Sequence, residues 1–202
     1  ASVYDPYWSV APIAILFFWL SKTQTIPLPH ILLALVVVVW GVRLTYNWAI
    51  NFKGMGHQDW RYTMLKEKNP KIWTITNLFG IHLMPTIVVY LAMIPIAYIL
   101  FAPQTSQNYI FIILGVIISL SAVAIQFISD KQMRDFRTND DNRGKNIDLG
   151  LWKYSRHPNY FGEVMMWWGV WIIQMGTSQS LLTIIGPLIM TALFIFISIP
   201  MM

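Results

Sequence analysis

The chain has 202 residues, of which 56% are hydrophobic and only 11% are charged, a composition that a soluble domain could not cover with polar surface. It contains no cysteine, which excludes disulfides, thiolate metal sites and cysteine nucleophiles. The formal net charge is +5, but the positions of the charges fit a membrane protein better than a nucleic-acid-binding protein. We therefore expect an integral membrane protein without a nucleic-acid partner.

Long apolar runs predict about six transmembrane helices, because a spanning helix needs roughly 20 mainly apolar residues. The runs cover residues 12–20 with the aromatic stretch before them, 31–50, 72–102, 109–129, 160–175 and 181–200. Pro85 and Pro95 predict a kink or two shorter helices in the third run. The predicted fold is an all-α polytopic membrane bundle forming a single transmembrane domain over residues 1–202. Its start at Ala1 and its end inside an apolar helix predict a chain truncated at both ends.

The basic residues predict which side of the membrane carries the polar groups. Of the 14 lysines and arginines, only Lys22 and Arg43 lie outside two loops at 53–71 and 131–156. Two predicted spans separate these loops, so both face the same side, and the positive-inside rule makes that side cytoplasmic. We expect a multi-pass protein with its functional site facing the cytoplasm, in the inner membrane if the source is bacterial.

The fourth apolar run continues into a polar helical face. Gln126, Asp130, Arg134 and Arg137 follow i, i+4, i+8, i+11 spacing, which places them on one side of a helix. Arginine forks suit phosphate, and a carboxylate beside them can fix the fork or bind a sugar hydroxyl. A helix end with intrahelical ion pairs and lipid head-group contacts explains the same pattern, so spacing alone leaves both readings open.

A second polar cluster lies at the start of the fifth apolar run. Arg156, His157, Asn159 and Glu163 occur within the stretch Gly-Leu-Trp-Lys-Tyr-Ser-Arg-His-Pro-Asn-Tyr-Phe-Gly-Glu at 150–163. Glu163 is expected one turn inside a membrane span, where an ionisable group is costly enough to indicate a functional site. The alternative is structural: Glu163 pairs with a basic neighbour and caps its helix.

The stretch 150–163, followed by Trp167, resembles the signature of steroid 5-alpha-reductase-like membrane proteins, in particular bacterial members of the DUF1295 type. Ser129-Asp130, Arg134 and Arg137 resemble the second cofactor motif of these proteins. Arg43-Leu44 and the stretch Gly-His-Gln-Asp-Trp-Arg-Tyr at 56–62 are similar to the bacterial branch's cytoplasmic loop. The resemblance covers most of the chain.

The resemblance implies a helical bundle that uses NADPH to reduce an activated carbon–carbon double bond in a steroid or other lipid enone, surrounded by membrane lipids. Asp5 and Tyr46 are the nearest counterparts, by position, of the acid and tyrosine that polarise the substrate carbonyl in mammalian enzymes. The implied cofactor residues lie within about 126–167 and are Gln126, Asp130, Arg134, Arg137, Lys145, Tyr154, Arg156, His157, Asn159, Glu163 and Trp167.

Two other functions remain open. Isoprenylcysteine carboxyl methyltransferases, distant relatives that use S-adenosylmethionine, share the Arg-His-Pro-x-Tyr core at 156–160. Asn159, Glu163 and the Asp130/Arg137 face favour the reductase, because the phosphates of NADPH call for more cationic donors. A function as a scaffold or lipid-binding protein would not explain why the polar cluster at 156–163 is present. We expect no metal, since the four histidines lack paired ligand spacing, and the chain has no Rossmann glycine fingerprint.

Overall fold

The computed structural model describes residues 6–52, 54, 60–68, 70–103 and 107–200. Over these residues the chain is helical and contains no β-strand, which confirms the all-α prediction. The α-helices are α1 Tyr7–Leu20, α2 Leu28–Asn51, α3 Trp60–Lys68, α4 Trp73–Ile75, α5 Met84–Ala92, α6 Ile94–Phe101, α7 Tyr109–Thr138, α8 Pro158–Met175 and α9 Ile185–Leu193.

Shorter helical segments extend or connect these helices. Four are 3₁₀ turns, at Pro70–Ile72, Asp140–Asn142, Gly150–Lys153 and Leu181–Ile184. Two are π-helical, Thr76–Leu83 before α5 and Phe194–Ser198 after α9. π-Helical turns are rare and are frequently found at functional sites, so both segments are candidates for lining a functional site.

Four helical segments of the described chain are long and apolar enough to cross a membrane: Leu28–Asn51, Pro70–Phe101, Tyr109–Thr138 and Leu181–Ser198. α1 is apolar but has only 14 residues. α8 has 18 residues and carries Asn159, Glu163 and Gln174, and it is not among the four. The multi-pass helical membrane bundle is confirmed, and the count of six spans stays a prediction.

The third apolar run is divided as its prolines predict. Pro85 lies in the first turn of α5 and Pro95 in the first turn of α6, and a turn at Met93 separates the two helices. Proline is tolerated in the first turn because that position has no intrahelical use for a backbone N–H. The predicted kink or pair of shorter helices is therefore confirmed.

Close backbone contact between α7 and α8 fixes the centre of the bundle. A Cβ added to Gly115 would lie 2.5 Å from the carbonyl oxygen of Gly169, and one added to Gly162 would lie 2.7 Å from that of Ala122. Small residues at such points let two membrane helices approach closely. The pairing is antiparallel, and it brings the polar end of α7 beside the start of α8.

The two ends of this helix pair differ in character. At one end the backbone N–H of Asn108 donates to the carbonyl oxygen of Gly176 at 2.8 Å, which joins two connections that carry no charge. At the other end Trp152 donates its indole N–H to the carbonyl oxygen of Ser129 at 3.0 Å. The basic segment after α7 therefore folds back against α7 near the polar cluster.

Candidate functional site

Arg43, on α2, is the centre of a buried polar network between three helices. Its Nη1 donates to Asp130 Oδ2 at 2.9 Å, and its Nη2 donates to Glu163 Oε2 at 3.4 Å and to Gln126 Oε1. Its side chain is only 8% exposed. One guanidinium thus links α2 to α7 and to α8.

Two tryptophans complete the surroundings of Glu163. Trp40 Nε1 donates to both carboxylate oxygens, at 2.9 and 3.0 Å, and Trp167 Nε1 donates to Oε1 at 3.2 Å. The two indole rings meet edge to face, with centroids 5.3 Å apart. Trp40 lies one turn before Arg43 on α2, so the same helical face supplies both an indole and the guanidinium.

Asp130 is held from two sides. Besides the ion pair with Arg43, its Oδ1 accepts a hydrogen bond from Asn159 Nδ2 at 3.4 Å. Asn159 stands in the first turn of α8, which begins at Pro158 immediately after His157. The start of α8 therefore adds an amide to the carboxylates and guanidinium of the network.

The charges of the network do not cancel. Arg43 contributes one positive charge and faces two carboxylates, Asp130 and Glu163, each within 4 Å of it. Buried charges persist only when they are paired and hydrogen-bonded, and the indoles and Asn159 supply those bonds. With both carboxylates ionised, the network carries an excess of one negative charge.

Two buried donors of the network have no acceptor among the residues that the structure describes. They are Arg43 Nε and Gln126 Nε2. Buried polar nitrogens are nearly always hydrogen-bonded in native proteins, so an exception calls for an explanation. A bound molecule that offers oxygen acceptors would supply one.

The network forms the polar floor of a cavity of about 640 Å³. This volume lies within the usual range of roughly 300–1,000 Å³ for small-molecule sites. Arg43, Asp130, Asn159 and Glu163 line it together with apolar side chains from several helices. The apolar lining comes mainly from Trp8, Leu44, Ile81, Met84, Pro85, Met190, Leu193, Phe194 and Ile197.

Both π-helical segments contribute to this cavity. Gly80 and Ile81 of Thr76–Leu83 line it, as do Phe194 and Ile197 of Phe194–Ser198. A π-turn changes the direction in which side chains leave a helix, and such turns recur at binding sites. The two irregular segments of the bundle thus lie where a ligand would be held.

The structure brings some of the predicted cofactor residues together and leaves others apart. Asp130, Asn159 and Glu163 line the cavity. Gln126 and Trp167 do not line it, but Gln126 accepts a hydrogen bond from Arg43 and Trp167 donates one to Glu163. Arg134 donates to Asn47 Oδ1 at 2.6 Å, and His157 stacks on Tyr160 with ring centroids 5.3 Å apart. Arg137, Lys145, Tyr154 and Arg156 are solvent-exposed and do not line the cavity.

Of the two predicted catalytic residues, the structure describes only Tyr46. Tyr46 is 52% exposed and does not line the cavity, unlike Arg43 and Asn47 on the same helix. Asp5 lies outside the described residues. Within those residues, the structure shows no grouping of histidine and carboxylate side chains that could hold a metal.

Sequence reasoning did not identify Arg43, Trp40 and Asn47 as site residues. A signal for Arg43 was available, because it is the single charged residue in the apolar run 31–50 and intramembrane charges mark functional sites by default. Nothing comparable marks Trp40 or Asn47. Tryptophan is common in membrane helices, and the partners of Trp40 and Asn47 are distant in sequence.

This chain is similar to a curated protein and to a protein family. An uncharacterized protein of Schizosaccharomyces pombe, C594.04c, is 25% identical over 173 residues, which cover 75% of this chain and 50% of the relative. The chain thus spans about half the length of that curated relative. No solved structure matches it significantly. The model of the family described as "Protein of unknown function (DUF1295)" matches residues 1–202, and the chain therefore belongs to the DUF1295 family, which is steroid 5-alpha-reductase-like.

Proposed function

We propose that this protein is a membrane-embedded, NADPH-dependent reductase of an activated carbon–carbon double bond in a steroid-like or other lipid enone. One observation carries the proposal: Asp130, Asn159 and Glu163 converge from α7 and α8 on the floor of one cavity with apolar walls. A polar floor suits a nucleotide cofactor, and apolar walls suit a lipid.

The donors and acceptors of the floor fit part of a nicotinamide nucleotide. Carboxylate oxygens of Asp130 and Glu163 accept hydrogen bonds from ribose hydroxyls or a carboxamide, and Asn159 can both donate and accept. When bound, NADPH supplies the hydride for the reduction.

The phosphates of the cofactor need cations outside the network, because Arg43 is already paired. Arg134 and Arg137 follow Asp130 on α7, and Lys145 and Arg156 precede α8. Arg137, Lys145 and Arg156 are exposed, so their side chains are available to a charged ligand. Arginine suits phosphate because its planar fork binds two oxygens. We therefore propose that the phosphates bind beyond the polar floor, on the basic side of the bundle.

We further propose that this basic side faces the cytoplasm. Lys66 and Lys68 on α3 and the basic residues of 131–156 share one end of the bundle, whereas the connections joined by Asn108 and Gly176 carry no charge. Such asymmetry is typical of cytoplasmic loops. Cytoplasmic NADPH would then reach the site without crossing the membrane.

One observation favours a second function, a methyltransferase that uses S-adenosylmethionine. The excess negative charge of the network beside the cavity would attract the sulfonium and ammonium groups of that cofactor. The reductase remains the better proposal, because the cationic residues near the network have no corresponding anion in S-adenosylmethionine.

Equilibrium binding to the purified protein in lipid nanodiscs separates the two functions. We expect NADPH to bind and S-adenosylmethionine not to bind in calorimetric titrations. Glu163→Gln should weaken NADPH binding about tenfold or more, since a hydrogen bond involving a charged group contributes roughly 1.5–3 kcal/mol. Glu67→Gln, which alters an exposed carboxylate on α3, is the matched control. Binding of S-adenosylmethionine alone would overturn the reductase, and binding of neither cofactor would favour a scaffold.

A further inference from the structure

We propose that Arg43 is the residue that binds the oxygen atom of an uncharged lipid substrate in the cavity. The inference rests on the proposed function, because it assigns the carbonyl-polarising role in that reaction. It adds a residue and a requirement: the oxygen that Arg43 contacts, at one end of an apolar molecule, is neutral.

The hydrogen bonds of Arg43 leave donors for a ligand. A guanidinium has five N–H groups, and Asp130, Gln126 and Glu163 accept from only its two terminal nitrogens. Its Nε has no acceptor among the described residues, although the side chain is more than nine-tenths buried and lines the cavity. The Nη1 nitrogen also keeps one N–H group after its bond to Asp130, and a ligand oxygen in the cavity would accept from the N–H groups that remain.

The carboxylates around Arg43 determine whether the ligand oxygen it binds is neutral or anionic. With both carboxylates ionised, Asp130 and Glu163 over-compensate the positive charge of Arg43. An anionic carboxylate or phosphate at the same place would add a third negative charge at short range in a poorly solvated site, which is costly. A neutral carbonyl or hydroxyl oxygen accepts the hydrogen bond without that repulsion.

The walls of the cavity determine what kind of skeleton the ligand has. From α5 and α9 the lining is apolar, with Met84, Pro85, Met190 and Leu193. A volume of about 640 Å³ accommodates a rigid polycyclic or a folded acyl skeleton. An apolar body against these walls and one oxygen at the floor matches a neutral lipid ketone.

Arg43 is also the most suitable donor for the reaction. It is the single cationic side chain among the described residues that line the cavity, whereas Tyr46 does not line it. Addition of a hydride to the β carbon of an enone moves an electron pair toward the carbonyl oxygen, and a fixed positive donor lowers the cost of that charge. The charge is transient, because protonation of the α carbon restores a neutral ketone, so no lasting anion stands beside Asp130 and Glu163.

The proton comes from elsewhere, because arginine stays protonated in proteins. The β carbon takes a hydride from NADPH, the α carbon takes a proton from water, and the C=C bond becomes a C–C bond. The products are the saturated ketone, NADP⁺ and the hydroxide left by the water, so atoms, charge and electrons balance. In this scheme Arg43 contacts the substrate oxygen and transfers nothing.

Ligand binding without cofactor tests the inference directly. Three probes are titrated into wild-type protein in nanodiscs: androst-4-en-3-one, which has one oxygen, androst-4-ene, which has none, and hexadecanoate, which is anionic. Trp8, Trp40 and Trp48 line the cavity, so tryptophan fluorescence reports binding. We expect the ketone to bind about tenfold or more tightly than either other probe. Equal binding of ketone and hydrocarbon, a preference for hexadecanoate, or binding of none overturns the inference.

An infrared measurement distinguishes direct contact from a structural role of Arg43. The carbonyl stretch of ¹³C-labelled androst-4-en-3-one should lie at lower wavenumber in the wild type than in an alkane, because a hydrogen bond weakens the C=O bond. Arg43→Lys keeps the charge but removes the fork, and it should abolish most of that shift together with the preference for the ketone. Arg143→Lys, in an exposed loop, is the control.

The outcomes separate this inference from the proposed function. An unchanged carbonyl stretch in a folded Arg43→Lys variant overturns the role of Arg43. If that variant does not fold, a wild-type carbonyl stretch equal to that in an alkane still overturns the inference. NADPH binding without a ketone preference overturns the inference and leaves the reductase standing. A ketone preference without NADPH binding overturns the reductase and leaves the oxygen site.

Discussion

Arg43 on α2 and Asp130 on α7 lie 87 positions apart in the sequence and form an ion pair of 2.9 Å inside the bundle. The same guanidinium reaches Glu163 on α8. Because three helices meet at one side chain, the network contributes to the stability of the fold as well as to the floor of the cavity.

Replacing Arg43 should destabilise the protein strongly. Arg43→Met leaves two buried carboxylates without their cation, and breaking a buried pair in this way costs about 3–5 kcal/mol. Thermal unfolding in detergent measures the effect. Adding Glu163→Gln to Arg43→Met should recover part of the loss, because it removes one of the uncompensated charges.

The exposed pair of Lys131 and Asp135 provides the control for that experiment. Its atoms are 2.5 Å apart, but the side chains are 61% and 63% exposed. Solvent screens such pairs, so Lys131→Met should cost less than about 1 kcal/mol. Equal losses for Lys131→Met and Arg43→Met would contradict a special role of the buried network.

The contact between α7 and α8 should not tolerate a methyl group. In Gly115→Ala the new Cβ would lie 2.5 Å from the carbonyl oxygen of Gly169 and 2.7 Å from Ile173 Cγ1. Overpacking of this kind costs about 1–3 kcal/mol, and the melting temperature should fall. In Gly80→Ala the Cβ meets only Thr76 Cγ2 at 4.0 Å, so that variant should unfold like the wild type.

The indole N–H of Trp40 should matter more than that of Trp168. Trp40→Phe removes the donor to both oxygens of Glu163, and hydrogen bonds to charged groups contribute about 1.5–3 kcal/mol. Trp168→Phe removes a single bond to the hydroxyl of Thr191 at 3.2 Å, for which about 1 kcal/mol is expected. Melting temperatures of both variants compare the two bonds, and a larger loss for Trp168→Phe would argue against the importance of Glu163.

Arg137 should affect cofactor binding without affecting stability. It is exposed at the end of α7, so Arg137→Ala should leave the melting temperature unchanged. If Arg137 contacts a phosphate, the same change should weaken NADPH binding several-fold, and less so at high salt, where exposed charges are screened. Lys131→Ala, on the same helix, should not weaken it. Unaltered NADPH binding in Arg137→Ala would remove this residue from the site.

Single cysteines can establish the orientation, since the natural chain has none. Lys66→Cys on α3 and Lys153→Cys before α8 should react with a membrane-impermeant maleimide only from the cytoplasmic side. Gln107→Cys, in the uncharged connection before α7, should react only from the opposite side. The reverse pattern in intact cells would contradict the proposed cytoplasmic position of the site.

Sequence patterns were sufficient for most of the fold and for the two carboxylates of the network. Apolar run length located the long helices, and the prolines at 85 and 95 located the break around Met93. Asp130 and Glu163 were found because charged residues stand out at the edges of apolar runs. These signals are local, and a single sequence displays them.

The remaining features depend on contacts between distant segments. The partners of Arg43 lie 83, 87 and 120 positions away, and its helix carries no local pattern that points to them. The two π-helical segments have no sequence signature that distinguishes them from α-helix. The cavity is formed where these segments meet α2, α7 and α8, so its shape could not be predicted from periodicity.

A single-turnover experiment tests the reductase most directly. Wild-type protein in nanodiscs is mixed with androst-4-en-3-one and NADPH that carries deuterium at the transferable position, and the steroid is examined by mass spectrometry. We expect a saturated ketone with one deuterium on the former β carbon, and at least a tenfold lower yield with Glu163→Gln. The reductase would be contradicted if NADPH binds to the polar floor but this enone, and a panel of other lipid enones, stay unreduced and unlabelled.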